Sequence, residues 1–205
     1  MAFGAASVAA GFTPAQSSVS SLLTFTGGSQ FAIAGVIAGG GTAAAALGSG
    51  FLLGARNTLY AVRLQSLLDA RGWMRPIAAL LTIDESTAMA LGQSQPRLSR
   101  LAFWWTAGAV YLFWNIATLV GALGAQALGD PKRFGLDAAV PAAFLALVAP
   151  RLRAGALPRR VALAGGLIAV LLIPLTPPGV PVLAACAALV VATDARVLRS
   201  LRRSR

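Results

Sequence analysis

The chain has 205 residues, of which 57% are hydrophobic and only 11% are charged, and its formal net charge is +11. Soluble domains carry about 25% charged residues, so this composition predicts an integral membrane protein and argues against nucleic-acid binding as the reason for the positive charge. The absence of His and the presence of one cysteine, Cys186, exclude disulfides within the chain, zinc sites and His-based catalysis.

Three long segments carry no charged side chain: residues 1–55, 101–129 and 161–193. A spanning helix needs about 20 apolar residues, and a backbone in hydrocarbon must satisfy its own hydrogen bonds. We therefore predict an all-α, polytopic integral membrane protein with about six to seven transmembrane or re-entrant helices, some broken at glycine. Residues 1–205 are expected to form one transporter domain. Arginines between the apolar segments and at the C-terminus follow the positive-inside pattern, which predicts the cell inner membrane and a cytoplasmic C-terminus.

The chain begins with an apolar segment, Met1–Gly11, that is too short to cross a bilayer at 1.5 Å per residue. It lacks the basic start of a signal peptide. We expect it to be the second half of a helix whose first half is missing. A turn at residues 11–14 follows, with Thr13 suited to cap the next helix and Pro14 suited to its first position.

The next segment, Ala15–Ala38, is long enough to cross but is interrupted by a glycine pair. The pair is followed by two polar residues, so the interruption comprises Gly27, Gly28, Ser29 and Gln30. Membrane helices often unwind at such places to expose backbone groups to a ligand. The alternative is close helix packing at the glycines, and the two interpretations stay open.

The helix predicted for Thr42–Val62 ends with Arg56, Tyr60 and Arg63 on one face. Arg63 is placed to reach the membrane surface. Arg56 lies about two turns deeper, where an acidic partner such as Asp84 or Glu85 would stabilise it. A position of Arg56 at the membrane–water interface is an equally favoured alternative.

The segment Ile77–Leu91 contains the adjacent acids Asp84 and Glu85, the latter the chain's one Glu, within otherwise apolar sequence. A carboxylate in hydrocarbon costs about 2.5–3.5 kcal/mol or more, so the pair is expected to face a protected interior, a water-filled cavity or a partner. Basic residues flank the segment on both sides, in the predicted connection Leu64–Pro76 and at residues 97 and 100. Its length of about 15 residues favours a re-entrant or broken helix over a full crossing.

Leu101–Leu128 is the clearest predicted span, and its Trp residues at 104, 105 and 114 are candidates for an interfacial belt. Tyr111, Asn115 and Thr118 share another face and either line a polar path or hydrogen-bond to neighbouring helices. Phe134–Pro150 is expected to return across the bilayer, with Asp137 as a helix cap or, less favoured, as a ligand. The last predicted elements, Val161–Leu175 and Val180–Thr193, form a hairpin.

Four blocks in this order resemble the AzlC family. Residues 26–31, Thr-Gly-Gly-Ser-Gln-Phe, are similar to the family's aGasQF signature, and residues 56–60 resemble its Arg-His-x-Leu-Tyr block with Asn57 in place of His. Residues 81–85 resemble its Leu-Thr-Asp-Glu block, with Ile83 inserted between Thr82 and Asp84. Residues 135–137 and 141–144 resemble its Gly-Leu-Asp…Pro-Ala-x-Phe block.

The resemblance implies the large subunit of a two-component exporter of branched-chain amino acids, working with a small hydrophobic AzlD-type membrane subunit and without a cofactor. Substrate binding or coupling would then involve the polar residues of the four blocks and of the long span: Gly27, Gly28, Ser29, Gln30, Arg56, Asn57, Tyr60, Thr82, Asp84, Glu85, Asn115 and Asp137.

An amino-acid zwitterion requires a carboxylate site, an ammonium site and an apolar pocket. We expect backbone N–H groups near Gly28, with Gln30, to bind the carboxylate, and Asp84 or Glu85 to bind the ammonium or carry a coupling proton. No nucleotide-binding loop is present. A passive channel, a non-transporting scaffold subunit and a membrane-embedded enzyme remain the alternatives, the enzyme least favoured because the sequence offers no reactive cluster.

Overall fold

In a computed structural model, which describes residues 1–129, 135 and 138–190, every regular element is helical. Asp137 and the arginine-rich C-terminus lie outside the described residues. The helices are α1 (Ala2–Ala9), α2 (Pro14–Leu23), α3 (Gly28–Ala38), α4 (Ala43–Leu68), α5 (Met74–Leu80), α6 (Asp84–Leu91), α7 (Pro96–Ala127), α8 (Ala139–Arg153), α9 (Ala156–Leu172), α10 (Val180–Ala184) and a 3-10 helix (Ala185–Ala188).

One described helix, α7, is long and apolar enough to cross a membrane on its own. Helix α4 is also long, but Arg56 and Arg63 lie within it. The other described helices are shorter, and several of them pack along these two: α1, α2 and α6 against α7, and α3 against α4.

The glycine pair separates two helices, as the sequence indicated. Helix α2 ends at Leu23 and α3 begins at Gly28, while Gly27 has φ 62° and ψ −85°. A side chain strongly disfavours that backbone conformation, which glycine adopts freely. The N-terminal side of α2 also follows the prediction, because Thr13 and Gln16 form a capping box and Pro14 occupies the first turn.

The acidic segment is likewise broken, with α5 ending at Leu80 and α6 beginning at Asp84. The Ser86 hydroxyl organises the break: it accepts a hydrogen bond from the Ile83 N–H at 3.1 Å and donates to the Leu81 carbonyl at 2.8 Å. The broken form of the prediction is therefore correct. Whether the segment crosses the bilayer or re-enters stays a prediction.

The predicted connection Leu64–Pro76 is wrong in its first third, because α4 continues to Leu68. Leu64 and Leu68 are buried in a cluster with Phe103, so tertiary packing extends the helix beyond Arg63. The turn that remains begins at Asp69, which has φ 47°. Helix α7 also begins earlier than expected, at Pro96, and the Arg100 side chain donates to the carbonyl of Leu67 at 2.7 Å.

The last element follows the prediction for Val180–Thr193 as far as the structure describes it. Helix α10 continues as the 3-10 helix Ala185–Ala188 and then as helical residues 189–190, and residues 191–193 lie outside the described residues. The expected turn before it is present, closed by a hydrogen bond from the Val180 N–H to the Pro177 carbonyl at 3.2 Å.

Small residues bring the helices together. A methyl group at Gly50 on α4 would lie 2.8 Å from Ile33 on α3, and one at Gly4 on α1 would overlap the Thr118 carbonyl on α7. Thr118 also forms a hydroxyl contact with Ser21 on α2 at 3.4 Å. For Thr118, the structure therefore supports inter-helix hydrogen bonding, one of the two roles that the sequence left open.

Candidate functional site

Both helix breaks open onto one cavity of about 330 Å³ between α3, α4, α6 and α7. Its walls carry one positive and two negative side chains within a mainly apolar surface. The lining residues are Ala2, Phe25, Thr26, Gly27, Gly28, Phe31, Arg56, Ile83, Asp84, Glu85, Val110, Trp114 and Ala146.

The first turn of α3 supplies backbone donors at this cavity. The N–H groups of Gly28 and Ser29 lie in the first turn and so lack the acceptor four residues earlier that later N–H groups use. This end of the helix also carries the positive end of its dipole. A methyl group at Gly28 would lie 3.9 Å from Arg56 Nη2, so the guanidinium adds a second positive group beside the same turn. The arrangement favours an anionic group here.

An ion pair connects α4 to the acidic break: Arg56 Nη1 lies 2.9 Å from Asp84 Oδ2. Both side chains are about two-fifths exposed. The other carboxylate oxygen, Asp84 Oδ1, is buried and has no hydrogen-bond partner among the described residues. Glu85 follows on the same first turn, is exposed, and lines the cavity. The acidic partner expected for Arg56 is therefore present, while its depth in the membrane stays a prediction.

Gln30 is completely buried just inside α3. Its Oε1 accepts a hydrogen bond from Trp114 Nε1 at 3.1 Å, while its Nε2 has no partner in the described part of the chain. Ser29 is also buried, with its Oγ unpartnered. Trp114 is therefore part of the cavity wall and of a partly buried hydrogen bond, and its place in an interfacial belt stays a prediction.

The structure brings together five of the predicted site residues as cavity walls: Gly27, Gly28, Arg56, Asp84 and Glu85. Ser29 and Gln30 lie immediately behind them.

Four other predicted site residues lie elsewhere in the described part of the chain, and Asp137 lies outside it. Asn57 and Tyr60 are partly buried on α4, and the Asn57 Oδ1 has no partner in the described structure. Thr82 is buried in the acidic break, where its hydroxyl donates to the Ala78 carbonyl at 2.7 Å. The amide of Asn115 donates to the Tyr111 carbonyl on the same helix. None of these four residues is a wall of the 330 Å³ cavity.

Sequence reasoning missed most of the apolar wall, which comprises Phe25, Phe31, Ile83, Val110 and Trp114. A partial signal existed, because Phe25, Phe31 and Ile83 are immediate neighbours of the two breaks in the sequence. Val110 and Trp114 are four residues apart and so lie on one face of α7, but the sequence did not show that this face meets α3.

The family model described as "AzlC protein" matches residues 1–128 of the chain. The chain belongs to the AzlC family. Except for Ala146, every cavity wall residue lies within the matched part of this AzlC chain. No curated protein and no solved structure matches it. AzlC proteins are associated with branched-chain amino acid transport rather than with enzymatic activity, and they function with a partner subunit. The family and the apolar helix α7 together indicate a membrane protein.

Removing the indole donor by Trp114→Phe is expected to lower the free energy of unfolding of this AzlC chain by about 1–3 kcal/mol, because both ends of the buried Gln30 amide then lack partners. In Trp114→Phe combined with Gln30→Leu, much of that loss should be recovered, since no unpaired amide remains. Thermal unfolding in detergent measures both. Equal destabilisation by the single and the double variant would contradict the assigned hydrogen bond.

Proposed function

We propose that this AzlC chain is the large subunit of a secondary transporter that exports branched-chain or other small hydrophobic amino acids. It works with a small AzlD-type subunit as a multi-pass protein of the cell inner membrane, with its C-terminus in the cytoplasm. The observation that carries the proposal is the meeting of two helix breaks, an arginine and two carboxylates at one mainly apolar cavity.

The substrate carboxylate binds at the first turn of α3. Its partners are the N–H groups of Gly28 and Ser29 and the guanidinium of Arg56, which lies close to Gly28. Hydrogen bonds between an anion and such donors are charge-assisted, and they strengthen in an environment that excludes water. Gln30 Nε2 is a further donor directly behind this turn.

The substrate ammonium binds at the acidic break, next to the ion pair of Arg56 and Asp84. Asp84 Oδ1 is a buried acceptor without a partner in the described structure, and Glu85 places a second carboxylate one residue further along the same turn. Two carboxylates against one arginine leave one uncompensated negative charge for the ammonium. Glu85 is more exposed than Asp84 and has no ion pair among the described residues, so it is our candidate for carrying the coupling proton.

The side chain of the substrate packs against the apolar wall. Phe25, Phe31 and Ile83 surround the charged groups, and Val110 and Trp114 close the wall from α7. A cavity of about 330 Å³ lies at the small end of ligand pockets, which run from about 300 to 1,000 Å³. Such a volume favours a small solute over a peptide or a lipid.

Broken helices are typical of such sites. In secondary transporters, helix ends at the level of the substrate supply backbone groups for binding, and alternating access is largely the rocking of one helix bundle against the other around that site. Helices α3 and α6 each begin at the cavity. The break at residues 81–83 is closed by side-chain hydrogen bonds of Ser86 rather than by a continuous helix.

Leucine export tests the proposal directly. Cells that express the chain with its small subunit are loaded with a leucine dipeptide, and leucine release is measured with and without an uncoupler. Glu85→Gln is expected to lower the export rate by at least about tenfold, because a charge-assisted hydrogen bond contributes about 1.5–3 kcal/mol. The export that remains should respond less to external pH than wild-type export does.

Asp69→Asn is the matched control. Asp69 is an acid of the same chain that pairs with Arg71 on the exposed turn before α5, outside the cavity. Its replacement should leave export within about twofold of wild type, because exposed ion pairs contribute little. Wild-type export by Glu85→Gln, or equal losses in the two variants, would contradict the assignment.

A further inference from the structure

A second and larger depression lies away from the transport cavity, along α4 and α5. It has a volume of about 830 Å³, and its walls run from Thr58 and Thr82 at one end to Asp69, Arg71 and Arg75 at the other. Thr58 lies on α4 and Asp69 directly follows its end, 11 residues later, which corresponds to about 16 Å along the helix. That length is close to half the 30 Å hydrocarbon core of a bilayer.

The two ends of this depression differ in chemistry. The mouth carries two arginines and one acid. The middle is mainly apolar, with residues such as Ala61, Val62 and Ala79, but it also includes the polar side chains of Gln65 and Ser66. Trp73, at the turn beside the mouth, is 73% exposed. An exposed Trp together with arginines at a helix end is typical of the level of lipid headgroups.

The arginines at the mouth are available to an anion. Arg71 holds Asp69 through two hydrogen bonds of 3.2 and 3.3 Å, but both side chains are more than half exposed, so the pair contributes little stability. Arg75 uses its Nε for the Ala70 carbonyl. Its terminal nitrogens have no acceptor among the residues that the structure describes and are left for another one. A phosphate can form bidentate hydrogen bonds with such guanidinium groups.

We propose that this depression binds one anionic phospholipid. The phosphate lies between Arg71 and Arg75, and an acyl chain follows α4 past Ala61 and Val62 towards Thr58. Charge complementarity selects an anionic headgroup, and the apolar length behind it selects a lipid over a soluble phosphate. The ligand would connect the end of α4 to α5, the helix that leads directly into the acidic break.

Lipid binding can be measured by native mass spectrometry of the purified chain, with any subunit that accompanies it, in a neutral detergent. Phosphatidylglycerol is titrated, and phosphatidylcholine with the same acyl chains serves as the comparison. We expect phosphatidylglycerol to bind at least about tenfold more tightly. Arg71→Gln with Arg75→Gln should weaken its binding about ten- to thirtyfold, since each arginine near a membrane surface contributes about 1 kcal/mol to the attraction of anionic lipid.

Two further variants separate a specific site from general attraction. Arg159→Gln with Arg160→Gln removes an equally exposed basic pair at the start of α9, outside the depression, and should leave the affinity unchanged. Ala79→Trp fills the apolar part of the depression without changing a charge. It should weaken phosphatidylglycerol binding as strongly as the loss of Arg71 and Arg75 does.

Four outcomes would overturn the proposal. Equal affinity for the two lipids, or an equal loss in the Arg159 and Arg160 variant, would show attraction without a site. Competition by glycerol phosphate alone would show a site for soluble anions. No binding to a purified complex with the small subunit would show that a partner helix occupies the depression. None of these measurements depends on amino-acid export, so the lipid site and the transport proposal can fail separately.

Discussion

Exchanging the charges of the central ion pair, by Arg56→Asp and Asp84→Arg in one chain, is expected to abolish leucine export while the protein stays folded. In the exchanged chain, opposite charges still face each other between α4 and α6, where the wild-type groups lie 2.9 Å apart. The substrate carboxylate, however, would meet Asp at position 56 beside the first turn of α3 instead of a guanidinium.

The single variants define the comparison. Arg56→Gln leaves Asp84 without its cation, and Asp84→Asn leaves the guanidinium without its anion. Because both side chains are about two-fifths exposed, each single change should cost no more than about 1 kcal/mol of stability. Each should nevertheless lower export by at least about tenfold, since a charge-assisted contact to the substrate is lost. Unfolding temperatures and export rates are measured for all three variants.

The exchange distinguishes two roles that single variants leave confounded. If the ion pair only holds α4 against α6, the exchanged chain should recover export along with stability. If Arg56 and Asp84 also bind the two ends of a zwitterion, stability should recover and export should not. Recovered export in the exchanged chain would therefore contradict the binding roles proposed for these two residues.

Local rules indicated both helix breaks, although at the glycine pair they left close helix packing as an equal alternative. Adjacent glycines weaken a helix wherever it lies, and Gly27 occupies a backbone conformation that other residues avoid. The acids at Asp84 and Glu85 were recognised from the cost of a carboxylate in an apolar segment. Carboxylates are also favoured in the first turn of a helix, which is where the structure places them.

Long-range contacts were harder to predict, because they depend on which faces of two helices meet. The sequence offered Asp84 or Glu85 as an acidic partner for Arg56, and only the packing of α4 near α6 identifies Asp84 as that partner. Trp114 shows the same limit. It reads as an interfacial aromatic residue in isolation, yet its ring closes the cavity and its N–H binds Gln30, 84 positions earlier in the chain.

The predicted end of α4 was wrong for a related reason. Arg63 and the basic residues after it suggested that α4 ends near Val62, but Leu64 and Leu68 continue its buried face against α7. Burying the two leucines contributes about 1.5–3 kcal/mol each. This outweighs the cost of including Arg63 in the helix, because its long side chain can carry the charge to the surface.

Gly4→Ala is expected to be among the most damaging single substitutions in the part of the chain that the structure describes. A methyl group at Gly4 would overlap the carbonyl of Thr118, so α1 and α7 would have to separate. Both groups belong to helix backbones, and no side-chain rotation relieves the overlap. Overpacking of this kind costs about 1–3 kcal/mol, which corresponds to a fall in unfolding temperature of several degrees for a chain of this length.

Export should fall together with stability in Gly4→Ala, because α1 also contributes to the 330 Å³ cavity proposed to bind the substrate. Ala2 lines its wall, and the ring of Phe3 packs edge-on against Phe31 with centroids 5.6 Å apart. A shift of α1 therefore changes the apolar wall that is proposed to receive the substrate side chain. The lower export should persist below the unfolding temperature, where loss of folded protein no longer explains it.

Gly124→Ala provides the matched control on α7 itself. Nothing lies within 4 Å of a methyl group at this position, so the substitution adds no overlap. Alanine is a better helix former than glycine by about 1 kcal/mol, and the variant should be as stable as wild type or slightly more so. If Gly4→Ala unfolds at the same temperature as Gly124→Ala, α1 does not pack on α7 through its backbone. The assignment of α1 to the cavity wall would then be wrong as well.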